Sequence, residues 1–139
     1  MPKLLLFAPC ERVAIDQQNN PTLISILQQW SAPSEEIPEK AFAPQRWDIF
    51  ALWYRTPEDE GKEFVQICEL INASGQKALS AQIEFQMTAP THRNIISALG
   101  LPVNPGHYEL TLYLSEKGAE KERERLATFP LLVTAAIPQ

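Results

Sequence analysis

Few residues of this chain are equipped for chemistry. It holds two cysteines, Cys10 and Cys68, and two histidines, His92 and His107. A thiol with an imidazole to take its proton is the minimum for a cysteine nucleophile. The residues around Cys10 and Cys68 match no known catalytic signature. His107 follows Gly106 on the polar face of an alternating segment, where a turn-adjacent polar residue is ordinary. Neither cysteine lies in a CxxC pair, and two histidines are too few for the usual zinc sets. The chain has no GxSxG, no HExxH and no phosphate loop, and its five glycines leave little material for one. The sequence therefore predicts no catalytic residue, no metal site and no cofactor.

Glu58-Asp59-Glu60-Gly61 clusters oxygens as a calcium loop does. Calcium needs about six to eight oxygens in set positions, and a Pro-x-Asp-x-Gly run is ordinary turn chemistry, so the turn reading prevails. The chain carries 17 acids against 12 bases, a net charge of −5. Its one basic stretch, Lys117 to Arg125, has four bases matched by the four acids Glu116, Glu120, Glu122 and Glu124. No basic face for nucleic acid emerges. The apolar run Leu4 to Ala8 is too short for a signal-peptide core and stops at Pro9. No run approaches the ~18 residues of a membrane span. A cytoplasmic location with both thiols reduced and buried is the expectation.

The aromatic segment 46–54 stands out. Trp47, Ile49, Ala51 and Trp53 share one face of an extended chain; Phe50, Leu52 and Tyr54 share the other. A half-buried strand shows one polar face, so this one needs cover on both sides. The other sheet would supply one cover. The second would be the 31–44 connection with Trp30, or a partner molecule. Trp47, Phe50, Leu52, Trp53, Tyr54 and Trp30 form the candidate interaction surface.

The elements around these residues are read from periodicity. Leu79, Ala81, Ile83, Phe85 and Met87 alternate with polar residues over 78–88, as do Tyr108, Leu110, Leu112 and Leu114 over 107–114. Period two marks half-buried strands. Leu4–Phe7 and Val13–Ile15 flank Pro9, which suggests an edge or a bulge near Cys10. The Asp16–Pro21 turn then leads into Thr22–Gln29, making a hairpin. Further strands are expected at 46–56, at 63–72 and at the C-terminus, where Phe129, Leu131, Val133, Ala135 and Ile137 share a face. With Pro33, Pro38 and Pro44, the segment 31–44 reads as an irregular connection. His92 to Leu99, followed by Gly100, could form a short helix with a C-terminal glycine. Residues 116–126 form the exposed tip of the final hairpin. Seven or eight strands with no βαβ alternation predict one all-β domain over 1–139, an antiparallel sandwich.

Cys10-Glu11-Arg12-Val13-x-Ile15-Asp16, followed by Thr22-Leu23-Ile24-Ser25-Ile26, resembles the N-terminus of an uncharacterised family of small stand-alone bacterial domains. So do Leu101-Pro102-Val103-x-Pro105-Gly106-x-Tyr108-Glu109-Leu110-x-Leu112-Tyr113 and Phe129-Pro130-Leu131-x-Val133. The resemblance covers both ends, and the middle matches by strand order alone. It implies an immunoglobulin-like β-sandwich and brings no activity with it. The function expected is that of a protein-binding module that buries the 46–54 face against a partner or a second copy. Two other readings are a ligand-binding protein or enzyme with a pocket near Trp30 and the 92–107 connection, and an accessory component of a bacterial or phage assembly.

Overall fold

The computed structural model describes residues 1–32 and 42–135. Nine strands follow in order: β1 (Lys3–Ile15), β2 (Pro21–Ile26), β3 (Gln29–Ser31), β4 (Phe42–Tyr54), β5 (Glu63–Asn72), β6 (Lys77–Gln86), β7 (Thr91–Pro102), β8 (Gly106–Glu116) and β9 (Glu124–Thr134). They form two sheets, β2-β1-β4-β7 and β3-β9-β8-β5-β6. All pairings are antiparallel except β3 with β9. The all-β sandwich expected from the alternation is the fold observed.

The inner faces meet in one apolar core. Trp47, Ile49, Ala51 and Trp53 of β4 face Phe64, Cys68 and Leu70 of β5, Phe85 of β6, and Tyr108, Leu110, Leu112 and Leu114 of β8. The two cleanly alternating segments are thus β6 and β8, each with its apolar set inward. The hairpin tip expected over 116–126 is narrower: residues 117–123 connect β8 to β9, with a single 3-10 turn at Glu120–Glu122, and Glu124 to Leu126 already belong to β9.

The helix expected at 92–99 is not formed: those residues lie in β7. His92, Asn94, Ile96 and Ala98 point inward; Arg93, Ile95, Ser97 and Leu99 point outward. Two polar residues on the inward face had broken the apolar alternation that marks a strand. Gly100 does not end a helix either. It sits in β7 at φ +103°, opposite Pro44 and Gln45, where the β4–β7 register slips. A Cβ there would lie 3.2 Å from Phe42 Cβ. The irregular connection expected over 31–44 is also too long at its end, because Phe42 to Pro44 already belong to β4. Its middle lies outside the described residues, as does Ile137.

The Thr22–Gln29 run divides. β2 ends at Ile26, and β3 begins at Gln29 in the other sheet. Pro9 is tolerated in β1 for a geometric reason. Its carbonyl accepts from Leu27 N at 2.9 Å, on the side away from β4. The N–H that proline lacks would point the same way, so the β4 ladder loses nothing. A bulge does occur in β1, at Leu5 rather than beside Cys10.

Candidate functional site

All three indoles are anchored by their N–H groups. Trp47 Nε1 donates to the Gly100 carbonyl at 2.9 Å, Trp53 Nε1 to Gln66 Oε1 at 2.9 Å, and Trp30 Nε1 to the Pro102 carbonyl at 3.1 Å. Trp47 and Trp53 are fully buried between the sheets, and Phe50 is equally buried on the opposite face of β4. Burying a large apolar side chain contributes about 1.5–3 kcal/mol. Turning these three outward would cost roughly 5–9 kcal/mol, comparable to a whole domain's stability. Trp47, Trp53 and Phe50 therefore cannot form the contact surface predicted for them. Trp30, half-buried, packs against the core and ties β3 to the end of β7.

The second cover of β4 is intramolecular. Phe50 lies in register between Ala8 and Ile95, and Asp48 between Cys10 and Ser97. The β1–β2 hairpin is drawn over this face by polar ties. Val13 N donates to Asp48 Oδ2 at 3.0 Å, and the Arg93 guanidinium donates to the Asn19 carbonyl at 2.7 Å and to its side chain. The hairpin turn is itself fixed by Asp16 Oδ1, which accepts from Gln18 N and Asn20 N. Ser97 Oγ donates to the remaining carboxylate oxygen of Asp48.

Around this covered centre the outer face stays open at Leu6 and Tyr54, and Leu52, paired with Leu6, is half-buried. Leu5, Ile15, Ile26 and Leu99 are also exposed, Ile15 and Ile26 on opposite sides of the β1–β2 hairpin. With Met1, Leu6 and Tyr54, these are the large exposed apolar side chains of the described residues, and all but Met1 lie on strands of the four-stranded sheet. Of the candidates read from sequence, Leu52 and Tyr54 remain accessible. The exposed leucines of β1 and β7 had no distinguishing mark in the sequence.

The five-stranded sheet is the opposite in character. Glu69 is buried at its centre and bridges to Arg123 and Lys77, and Arg123 lies 4.0 Å over the Tyr113 ring. Burial pushes the Glu69 carboxyl up, but its bonds to Lys77 and Arg123 outweigh this and hold it below the usual range. Lys117 bridges Glu63 and Glu84, and Lys62 bridges Glu116.

A polar chain crosses the core where the sheets face each other. Gln66 Oε1 accepts from both Trp53 Nε1 and Asn94 Nδ2, each at 2.9 Å, and Asn94 Oδ1 meets His92 Nε2 at 2.8 Å. Phe85 stacks on Trp53 and on His92, with ring centroids 5.8 and 5.1 Å apart. Gln66 Nε2 reaches Cys68 Sγ at 3.5 Å, so Gln66 and Asn94 stand between that thiol and His92. Burial pushes the Cys68 thiol up to about 12. Burial first, then the Asp48 carboxylate, push Cys10 up to about 11. Thiols so firmly protonated near neutrality are not nucleophiles. His107 is exposed on the outer side of β8.

Asp59 of the acidic run is buried. Its carboxylate accepts from Thr56 N and Oγ1 and meets the Met1 amine at 3.1 Å. Burial pushes its pKa up, and the Thr56 bonds and the amine bring it below the ordinary value. That carboxylate is occupied by turn bonding. Among the described residues no three His, Cys, Asp or Glu side chains converge on a common point, and no helix is long and apolar enough to cross a membrane. An open cleft lies beside the hairpin, lined by Glu11, Arg12, Val13, Ile24, Gln45, Arg46 and Asp48.

The scaffold is a two-sheet all-β sandwich. No protein-family model matches the chain, and no curated protein matches it.

Proposed function

We propose that this chain is a protein-binding module that docks its partner on the outer face of the four-stranded sheet. The observation that carries the reading is segregation. Among the described residues, the large exposed apolar side chains other than Met1 lie on strands of that sheet, while most ion pairs lie on the other. A sheet face that presents Leu6, Leu52 and Tyr54 together has the apolar, aromatic character of an interface core. The charged sheet is the solvated side. The reading extends to an immunoglobulin-like sandwich, kin to the uncharacterised bacterial family its ends resemble, working in the cytoplasm with reduced thiols.

Photo-crosslinking inside producing cells tests it. A photoreactive residue at Leu6 or Tyr54 should give a discrete adduct, and one at Gln82 or Glu84 on the other sheet should give none. Equal labelling from both sheets, or none from the first, refutes the proposal.

A further inference from the structure

The partner face leaves open how the edges of the same sheet are used. Among the described residues β7 pairs only with β4, so its other side carries no strand. The direction of its free groups follows from one bond outside the ladder. Arg55 N donates to the Pro90 carbonyl at 2.8 Å, and the register then runs unbroken from Tyr54↔Thr91 to Arg46↔Leu99. In an antiparallel pair, residues alternate between bonding across the ladder and turning away. Even-numbered residues therefore bond to β4. Arg93, Ile95, Ser97 and Leu99 aim their N–H and C=O groups outward.

Natural edges are guarded by shortness, charge, proline or bulges. β2 has six residues and β3 three. β6 carries Lys77 and Glu84. The stretch of β1 beyond the end of β2 carries Lys3, the Leu5 bulge and Pro9. β7, with 12 residues, has one fixed charge. That charge, Arg93, is turned to Asn19 on the hairpin. Its window from Ile95 to Leu99 is unguarded, and Leu99 is 79% exposed.

We propose that the occupant is a second copy of this chain, paired antiparallel along β7 with the two-fold axis at Ser97. This register sets Ile95 against Leu99 of the other copy twice, on the outer face, and Ser97 against Ser97. About six backbone hydrogen bonds form between the outward-facing residues. Arg93 falls opposite Leu101 at the end of the ladder, well away from its own symmetry mate. Each chain carries −5, yet β7 contains no acid, so no carboxylate of the strand meets its own copy across the contact. A C2 contact of this kind is self-complementary by construction. It joins two four-stranded sheets into one of eight strands. The contact uses the edge rather than the face, so it stands or falls apart from the docking proposal.

Sedimentation and cross-linking test it. The wild type should sediment as a dimer, twice the 15.7 kDa chain, at tens of micromolar. Ser97→Pro removes an N–H that points away from β4, and Leu99→Lys alters a solvent-exposed side chain. Each should weaken the dimer roughly tenfold or more, as expected for losing two interchain bonds or placing a charge against Ile95. Ser97→Cys should cross-link to itself under mild oxidation, because hydrogen-bonded antiparallel partners lie about 5.5 Å apart at Cα, within disulfide reach. Thr91→Cys should not. Cys10 and Cys68 are buried and give little background. A wild type that stays monomeric to ~100 µM overturns the proposal. So does a dimer that resists both substitutions, or one that cross-links as well through position 91. If Ser97→Pro fails to fold, Leu99→Lys and the cysteine pair decide.

Discussion

Replacing Gln66 by leucine gives the sharpest test of how the sheets are held. Gln66 is fully buried, and its Oε1 accepts from the Trp53 indole and the Asn94 amide. Leucine is similar in size and apolar, so little cavity results. It leaves two buried donors without an acceptor. Each costs about 1–3 kcal/mol, and part of the sum is offset by the apolar surface that leucine buries. A net loss of about 3 kcal/mol follows. For a chain of this length, each kcal/mol shifts Tm by roughly 3 °C, so Tm should fall by about 10 °C. Urea unfolding followed by tryptophan fluorescence gives the free energy directly. The second arm adds Asn94→Leu, which removes one orphaned donor. The double variant should be more stable than the two single losses summed predict, by about 1 kcal/mol or more. A loss below about 1 kcal/mol for Gln66→Leu, or strict additivity of the pair, would show that Gln66 is not the shared acceptor.

Two further outcomes follow from the backbone and the charges. Gly100→Ala meets Phe42 Cβ at 3.2 Å and takes up a positive φ; it should cost about 1–3 kcal/mol in chemical denaturation, and a neutral result would mean the bulge relaxes freely. Glu69 titrates below its unfolded value, so its contribution to stability is present above the unfolded pKa and is lost as pH falls through the folded one. Glu69→Gln should flatten the acid limb of the stability profile below about pH 4.5; an unchanged acid limb refutes the pairing with Lys77 and Arg123.

The sequence disclosed the architecture wherever one face of a strand was apolar and the other polar, as in β6 and β8. It failed where the inner face was itself polar. His92 and Asn94 break the alternation of β7, and the acceptor that makes them tolerable, Gln66, lies 28 positions from Asn94 on the other sheet. The doubly apolar strand β4 was legible as needing two covers. What supplied the second was not, because the ties that hold the β1–β2 hairpin are a few long-range bonds, one from Val13 to Asp48 and two from Arg93 to Asn19. The candidate surface was displaced for the same reason. Large aromatic residues attract notice by type, yet Trp47 and Trp53 are inside. Exposed Leu6 and Leu99 look like any other strand leucines until the sheet edges and covers are known.

The polar chain through the core has a fixed sense of direction. An indole N–H can only give a proton, so the atom of Gln66 facing Trp53 must be its oxygen. The group of Asn94 on that same oxygen must then be its NH2, which turns the Asn94 oxygen toward His92 and requires the proton on Nε2. One tryptophan thus sets the orientation of two amides and the tautomer of an imidazole. If Trp53 were replaced by phenylalanine, the amides could reverse together, and the interior would hold two proton orders in place of one.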